Sequence, residues 1–147
     1  EELRSPTADR AKRRAAGLRA AEDEIDLQEL CARAGVKPEF ARQLEDFGLL
    51  APRVEAGERL YRESEGDIAL ACGKIARHGI DARHLRAFRT AAGRQSALLE
   101  QLVAPALRSR NPERRSAALD DLETLAAIAQ ELSQLLLTRD LREVAER

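Results

Sequence analysis

The most conspicuous charge asymmetry of the sequence is a basic segment in its middle. Between residues 68 and 96, six lysines and arginines are opposed by Asp81 alone, a local net charge of +5. Guanidinium groups hold anions through charge-assisted hydrogen bonds, so this segment could bind DNA phosphate, an acidic effector, or acidic residues of the linker or a second chain. A solvated helix face paired with the chain's own acidic helices is the simplest interpretation. We call Arg83, Arg86, Arg89 and Arg94 the basic stripe.

Neither metal binding nor catalysis is indicated by the other reactive side chains. Cys72, His78 and His84 are six residues apart, a spacing that does not imply a shared helical face, so no metal site is predicted. The sequence has no glycine-rich phosphate loop, no GxSxG and no HExxH motif, and no histidine is positioned beside a candidate nucleophile. We therefore expect no enzyme activity and no cofactor.

The composition predicts an all-α protein with one hydrophobic core. Of the 147 residues, 44% are apolar and only 3% aromatic, and the abundance of Ala, Leu and Arg favours packed helices over sheets. The apolar runs are far too short to cross a bilayer, so no membrane contact is expected. Because the chain starts at Glu1 and has no apolar signal segment, we expect a portion of a longer cytoplasmic protein.

A pair of short helices is predicted after a polar connector. Residues 1–25 have too few large apolar side chains for a buried stripe and are interpreted as a linker. Asp26 is the expected N-cap of the first helix, which ends at Gly35. Pro38 opens a second helix that ends at Gly48. The two helices therefore meet at a tight turn.

A wing and a third helix are predicted next. The segment from Pro52 to Tyr61 has the Gly, Pro and polar content of a loop or hairpin, which would form the wing. Ser64 with Asp67 is a capping-box pattern, so a helix is expected from there to Gly79.

Two further helices complete the prediction. Asp81 caps the first of them, which is expected to turn Leu85, Phe88 and Ala92 inward before Pro105 bends or breaks it. Asn111 caps the last helix, in which apolar residues from Ala118 onward are spaced 4-3-4-3-4, as in a heptad seam. Either the preceding helix or a second chain can cover such a seam. The expected dimerisation residues are Leu122, Leu125, Leu132 and Leu136.

In this order, the elements resemble the winged helix-turn-helix of MerR-type transcription regulators. The resemblance is carried by IDLQELCARAGVKPEFARQLEDFGLLAPRVEAGERLYRESEGDIALACGKIARHGIDARHLRAF, with its AGV turn, Pro-opened second helix, GLL and wing ending in RLY. A closer similarity, about residues 77–113, is to the C-terminal half of FtsR-like regulators of high-GC bacteria. It lies in RHGIDARHLRAFRTAAGR and LLEQLVAPALRSRNPE.

The resemblance implies a cytoplasmic regulator of cell-division genes that acts as a homodimer. In that family a DNA-reading domain lies upstream, and this half resembles a second, degenerate copy that serves dimerisation or effector sensing. Residues 1–25 would then be the linker from the DNA-binding domain, and residues 26–147 the winged-helix-like dimerisation and regulatory domain.

Local charge weighs against DNA reading by this copy. Residues 27–67 hold six basic and nine acidic side chains, a net charge of −3, whereas phosphate contacts supply most of the affinity of a DNA-binding surface. The second helix carries three carboxylates, Glu39, Glu45 and Asp46. Two alternatives stay open: direct DNA binding, and a protein-interaction module that reaches RNA polymerase or a division protein through the basic stripe. The first would use Arg42, Gln43, Arg59 and Arg62.

The four aromatic residues also have two interpretations. Phe40, Phe47, Phe88 and Tyr61 could line a pocket for a hydrophobic effector. Because the chain has no other aromatics, we expect them to form the core itself, with Tyr61 the most exposed of the four.

Overall fold

The computed structural model describes residues 17–147, so residues 1–16 of the predicted linker lie outside the described part. The described chain forms two compact units, one ending at Ala91 and the other covering Ala92–Arg147. The strands are β1 (Glu24–Asp26), β2 (Arg53–Glu55) and β3 (Glu58–Arg62). The helices are α1 (Leu27–Ala34), α2 (Pro38–Asp46), α3 (Glu63–Ala76), α4 (Ala82–Leu107) and α5 (Pro112–Ala145).

The predicted helix pair is formed by α1 and α2. Asp26 caps α1 as predicted, because its Oδ1 accepts a hydrogen bond from the Glu29 backbone N–H at 2.8 Å. Gly35 ends the helix in the left-handed conformation, with φ +65°, which glycine adopts without strain. Pro38 opens α2, and Lys37 supplies no side-chain cap there.

The expected wing is a β-hairpin, and it belongs to a small sheet that the all-α prediction missed. Strands β2 and β3 are joined by Ala56 and Gly57, which both have positive φ as a two-residue hairpin turn requires. On its other edge β3 pairs antiparallel with β1, placing Ile25 opposite Tyr61. The protein is therefore mostly helical, with a three-stranded antiparallel sheet of order β1-β3-β2.

The core of the first unit forms where α1, α2, α3 and the sheet meet. Tyr61 is fully buried there, so its expected exposure is wrong, and Phe40 and Phe47 pack against the same core. Leu85 is buried as predicted, but Phe88 is 56% exposed rather than turned inward. Three of the four aromatics therefore belong to the core, as the second interpretation expects, and Phe88 does not.

The start of α3 differs from the predicted capping box. Ser64 and Asp67 do not cap it, because the helix already begins at Glu63, and a distant carboxylate takes the capping role. Glu22 accepts hydrogen bonds from the Ser64 backbone N–H at 2.7 Å and from the Ser64 hydroxyl at 2.9 Å. Asp23 adds its backbone carbonyl, which accepts from the Glu63 N–H at 3.1 Å.

In the second unit, the C-terminal part of α4 and the helix α5 form an antiparallel hairpin. Far from the connecting turn, the Gln95 side-chain amide on α4 donates a hydrogen bond to the Ser133 hydroxyl on α5 at 2.7 Å. At the turn, Asn111 caps α5 as predicted. Pro105 lies in the last turn of α4, which ends at Leu107, so the proline does not break the helix before its end. None of the helices in the described part has the length and apolar character needed to cross a membrane.

Candidate functional site

The exposed surface of α2 is the candidate DNA-reading face. Ala41 and Leu44 turn into the core, which leaves Arg42 and Gln43 exposed, as the direct-binding alternative requires. Glu39 and Asp46 are exposed on the same helix. Because DNA is a polyanion, carboxylates beside the two candidate readers oppose binding.

Arg59, the candidate phosphate contact on the hairpin, is engaged by α2 itself. Its Nε lies 3.0 and 3.1 Å from the two carboxylate oxygens of Glu45, which also accepts a hydrogen bond from the Tyr61 hydroxyl at 3.2 Å. Burial, together with the nearby Glu45 charge, raises the pKa of Tyr61 to about 12, so its hydroxyl remains a donor. This network fixes the hairpin on α2 and occupies Arg59.

The remaining hairpin candidate, Arg62, is exposed at the end of β3. It lines an open cleft of about 490 Å³ between the start of β1, the hairpin and the first turn of α3. Arg53 lines the same cleft and is paired with Glu24 at 2.9 Å and Glu55 at 2.8 Å. Of the four predicted DNA contacts, Arg42 and Gln43 are thus exposed on α2, whereas Arg59 is paired with Glu45 and Arg62 lines this cleft. The cleft is lined by Glu22, Glu24, Ala51, Pro52, Arg53, Leu60, Arg62 and Glu65.

The basic stripe is exposed along α4. Within residues 17–147 none of its four arginines forms an ion pair, so the expected pairing with the acidic helices is not seen in that part of the chain. Arg89 has a packing role, since a Cβ placed on Gly48 would lie 3.5 Å from its Cγ. The aliphatic part of the Arg89 side chain therefore packs beside the turn that follows α2.

The histidines and cysteines do not assemble into a metal centre. His84 pairs with Asp81 at 2.8 Å at the start of α4, and Cys72 is buried, which raises the pKa of its thiol. Among the described residues, no group of three or more His, Cys, Asp or Glu side chains is placed to hold a metal ion.

The predicted dimerisation residues divide into two pairs. Leu122 and Leu125 are half-buried within the hairpin of α4 and α5, whereas Leu132 and Leu136 are exposed. The sequence analysis named only four residues of this apolar surface, whereas the hairpin exposes more large apolar side chains than these. The i, i+4, i+7 spacing of Ile128, Leu132 and Leu135 was the available signal. The large exposed apolar residues of the second unit are Leu98, Leu102, Ile128, Leu132, Leu135, Leu136, Leu137, Leu141 and Val144.

Comparison with known proteins places this helical domain in a family. Residues 23–145 match the family model for the Rv1828-like C-terminal domain, so the chain belongs to that family. It is similar to the uncharacterized HTH-type transcriptional regulators Mb1859 of Mycobacterium bovis and Rv1828 of Mycobacterium tuberculosis. Each is 32% identical over 112 residues, which cover 76% of this chain and 45% of the relative. The chain thus spans less than half the length of these relatives.

Proposed function

We propose that this chain is the C-terminal dimerisation and regulatory domain of a MerR-type transcriptional regulator of the cytoplasm. The names of both relatives support a role in transcription, since both are named as HTH-type transcriptional regulators. The helix pair followed by a hairpin supports a degenerate winged helix-turn-helix, and the FtsR-like segments support cell-division genes as the target. DNA would be read by another part of the full-length protein.

The observation that carries this proposal is the exposed apolar surface of the hairpin of α4 and α5. Leu98 and Leu102 are 62% and 64% exposed on α4, and α5 leaves further leucines equally open. Monomeric soluble proteins rarely expose a contiguous apolar surface this rich, so a partner is needed, and a second copy is the partner that a dimeric regulator supplies.

The chemistry of α2 supports assigning DNA reading elsewhere. The helix keeps its place in the helix pair but presents Glu39 and Asp46, and Glu45 holds Arg59. A surface that binds phosphates needs the opposite balance of charge. The arginines of the basic stripe are exposed, so the stripe is available to an acidic effector or to a protein partner.

The test combines the solution mass of this chain with fluorescence anisotropy on duplex DNA across a salt series. We expect a mass of twice 16.3 kDa and no tight binding to DNA. A monomer at all concentrations would overturn the dimerisation role. A steep negative slope of log affinity against log salt would instead support direct DNA binding. Charge reversal of Arg83, Arg86 and Arg89 should change neither the mass nor the helical content.

A further inference from the structure

The apolar exposure of the second unit is organised by the geometry of an antiparallel helix pair. The inward faces are defined by Val103 on α4 and Ala118 on α5, which are 5% and 2% exposed, and by the hydrogen bond from Gln95 to Ser133. The exposed apolar residues are not distributed evenly around the two helices. They fall into a set on one side of the hairpin and a set near the end of α5.

Four members of the first set each come one residue before an inward-facing position. On α4, Leu98 precedes the half-buried Leu99, and Leu102 precedes the buried Val103. On α5, Ile128 precedes the half-buried Ala129, and Leu132 precedes Ser133. Each step of one residue turns about 100° around a helix, so each of these side chains lies about 100° before the inward-facing residue that follows it.

An equal offset on two antiparallel helices places the side chains on one side of the pair. Two antiparallel helices are related by a local twofold axis perpendicular to the plane that contains both. This axis keeps each side of that plane unchanged, so side chains with the same angular offset from the inward face lie on the same side of the pair. Leu135 follows Ile128 by seven residues and Leu132 by three, so it extends the same surface. We call the set Leu98, Leu102, Ile128, Leu132 and Leu135 the front face.

We propose that the front face binds the front face of a second copy, so that the two hairpins form a four-helix bundle. This inference rests on the proposed dimerisation role and specifies its surface. Five leucine-sized side chains, each more than half exposed, leave on the order of 500 Å² of apolar surface in water, a large patch for a monomer. Two such faces together approach the roughly 1,000 Å² that a stable interface needs.

The front face differs from the seam that the heptad spacing predicts. Leu122 and Leu125 are half-buried inside their own hairpin, so they are largely covered before any second copy binds. A seam formed by α5 alone would leave Leu98 and Leu102 in water. In the four-helix bundle these α4 residues are central, and isologous pairing of one surface with itself gives a closed dimer.

The experiment compares Leu102→Glu with Leu141→Glu in the full chain. Leu102 is 64% exposed on the front face, and Leu141 is 56% exposed in the terminal turns of α5, outside it. Analytical ultracentrifugation over a range of concentrations gives the dimer affinity, and circular dichroism checks the helical content. Leu102→Glu should weaken the dimer at least about 100-fold, because the substitution occurs in both copies. Leu141→Glu should leave the affinity within about threefold of the parent chain.

The same measurements separate failure of this inference from failure of the proposed function. A tight dimer in both Leu102→Glu and Leu132→Glu would overturn the front face while leaving dimerisation standing. If the Leu102→Glu variant still forms a tight dimer while the Leu132→Glu variant does not, the result would favour a seam on α5 alone and would also overturn the bundle. If the parent chain is monomeric, the dimerisation role itself fails.

Discussion

Glu65 buries one carboxylate oxygen without a hydrogen-bond partner, at the first turn of α3. Its other oxygen accepts from the Ala51 backbone N–H at 3.2 Å, but Oε2 has no donor among the described residues. Burial raises the pKa of Glu65 above its usual value, and the nearby charge of Glu22 raises it further. Because the pKa is raised in the folded state, the stabilisation by protonated Glu65 is present at low pH and is lost as the pH rises through the folded-state pKa.

Glu65→Gln should therefore stabilise the protein at neutral pH. The amide removes the buried charge and keeps an acceptor for the Ala51 N–H, a gain of about 1 kcal/mol. Urea unfolding at pH 7 and pH 4 measures it, and the gain should shrink at pH 4, where the parent carboxyl is protonated. Glu63→Gln in the same turn is the control, since it loses the Arg33 ion pair and should not stabilise. An equal gain at both pH values would contradict the buried-charge explanation.

Helix α3 packs against the turn between α1 and α2 through a glycine. A Cβ placed on Gly73 would lie 2.8 Å from Cγ1 of Val36, closer than side chains pack, and Gly73 is buried in the last turn of the helix. Helix propensity alone favours alanine over glycine by about 1 kcal/mol. The close contact opposes this preference, because overpacking of a core costs about 1–3 kcal/mol.

Gly73→Ala should consequently destabilise the protein by about 1 kcal/mol, whereas Gly66→Ala should stabilise it. Gly66 is also buried in α3, but its Cβ would meet only Ile25 Cδ1 at 3.9 Å, an ordinary contact. If the contact with Val36 decides the effect of Gly73→Ala, chemical denaturation should show changes of opposite sign in the free energy of unfolding of the two variants. Adding Val36→Ala to Gly73→Ala should recover part of the loss. A stabilising Gly73→Ala would mean that the turn relaxes without cost.

These elements show which parts of the fold the sequence could predict. Caps at Asp26 and Asn111 were predictable because donor and acceptor lie within three residues of each other. The cap of α3 was not, because Glu22 reaches it from 42 residues away. Strand β1 was missed for the same reason: three residues have no readable period, and pairing with β3 defines them.

The candidate site follows the same division. Exposure of Arg42 and Gln43 was predictable from the apolar spacing of α2. The pairing of Arg59 with Glu45 joins residues 14 apart on different elements, so no local pattern gives it. The heptad spacing of α5 correctly indicated an apolar face. Each apolar position of α5 can be covered by α4 or by another chain. Which of the two covers it depends on the placement of α4, and the spacing of the apolar residues does not predict that placement.

At the scale of the whole molecule, opposite local charges lie in neighbouring stretches of the chain. Residues 27–67 carry a net charge of −3 and residues 68–96 a net charge of +5, and the formal net charge of the whole chain is only −1. Long-range attraction to DNA is therefore weak, and association with a second copy depends mainly on apolar contact. Salt should consequently have little effect on dimer affinity, in contrast to any binding of phosphate.

A dimer held by the front face must unfold at a temperature that depends on protein concentration. Binding that favours the folded state raises its stability by mass action, so the midpoint of thermal unfolding should rise as the chain is concentrated. Differential scanning calorimetry over a hundredfold range of concentration measures this, and Leu132→Glu should abolish the dependence while Leu141→Glu keeps it. Because Leu132 and Leu141 are 55% and 56% exposed, loss of intrachain packing should affect both variants similarly. A midpoint independent of concentration in the parent chain would show that unfolding is not coupled to dissociation.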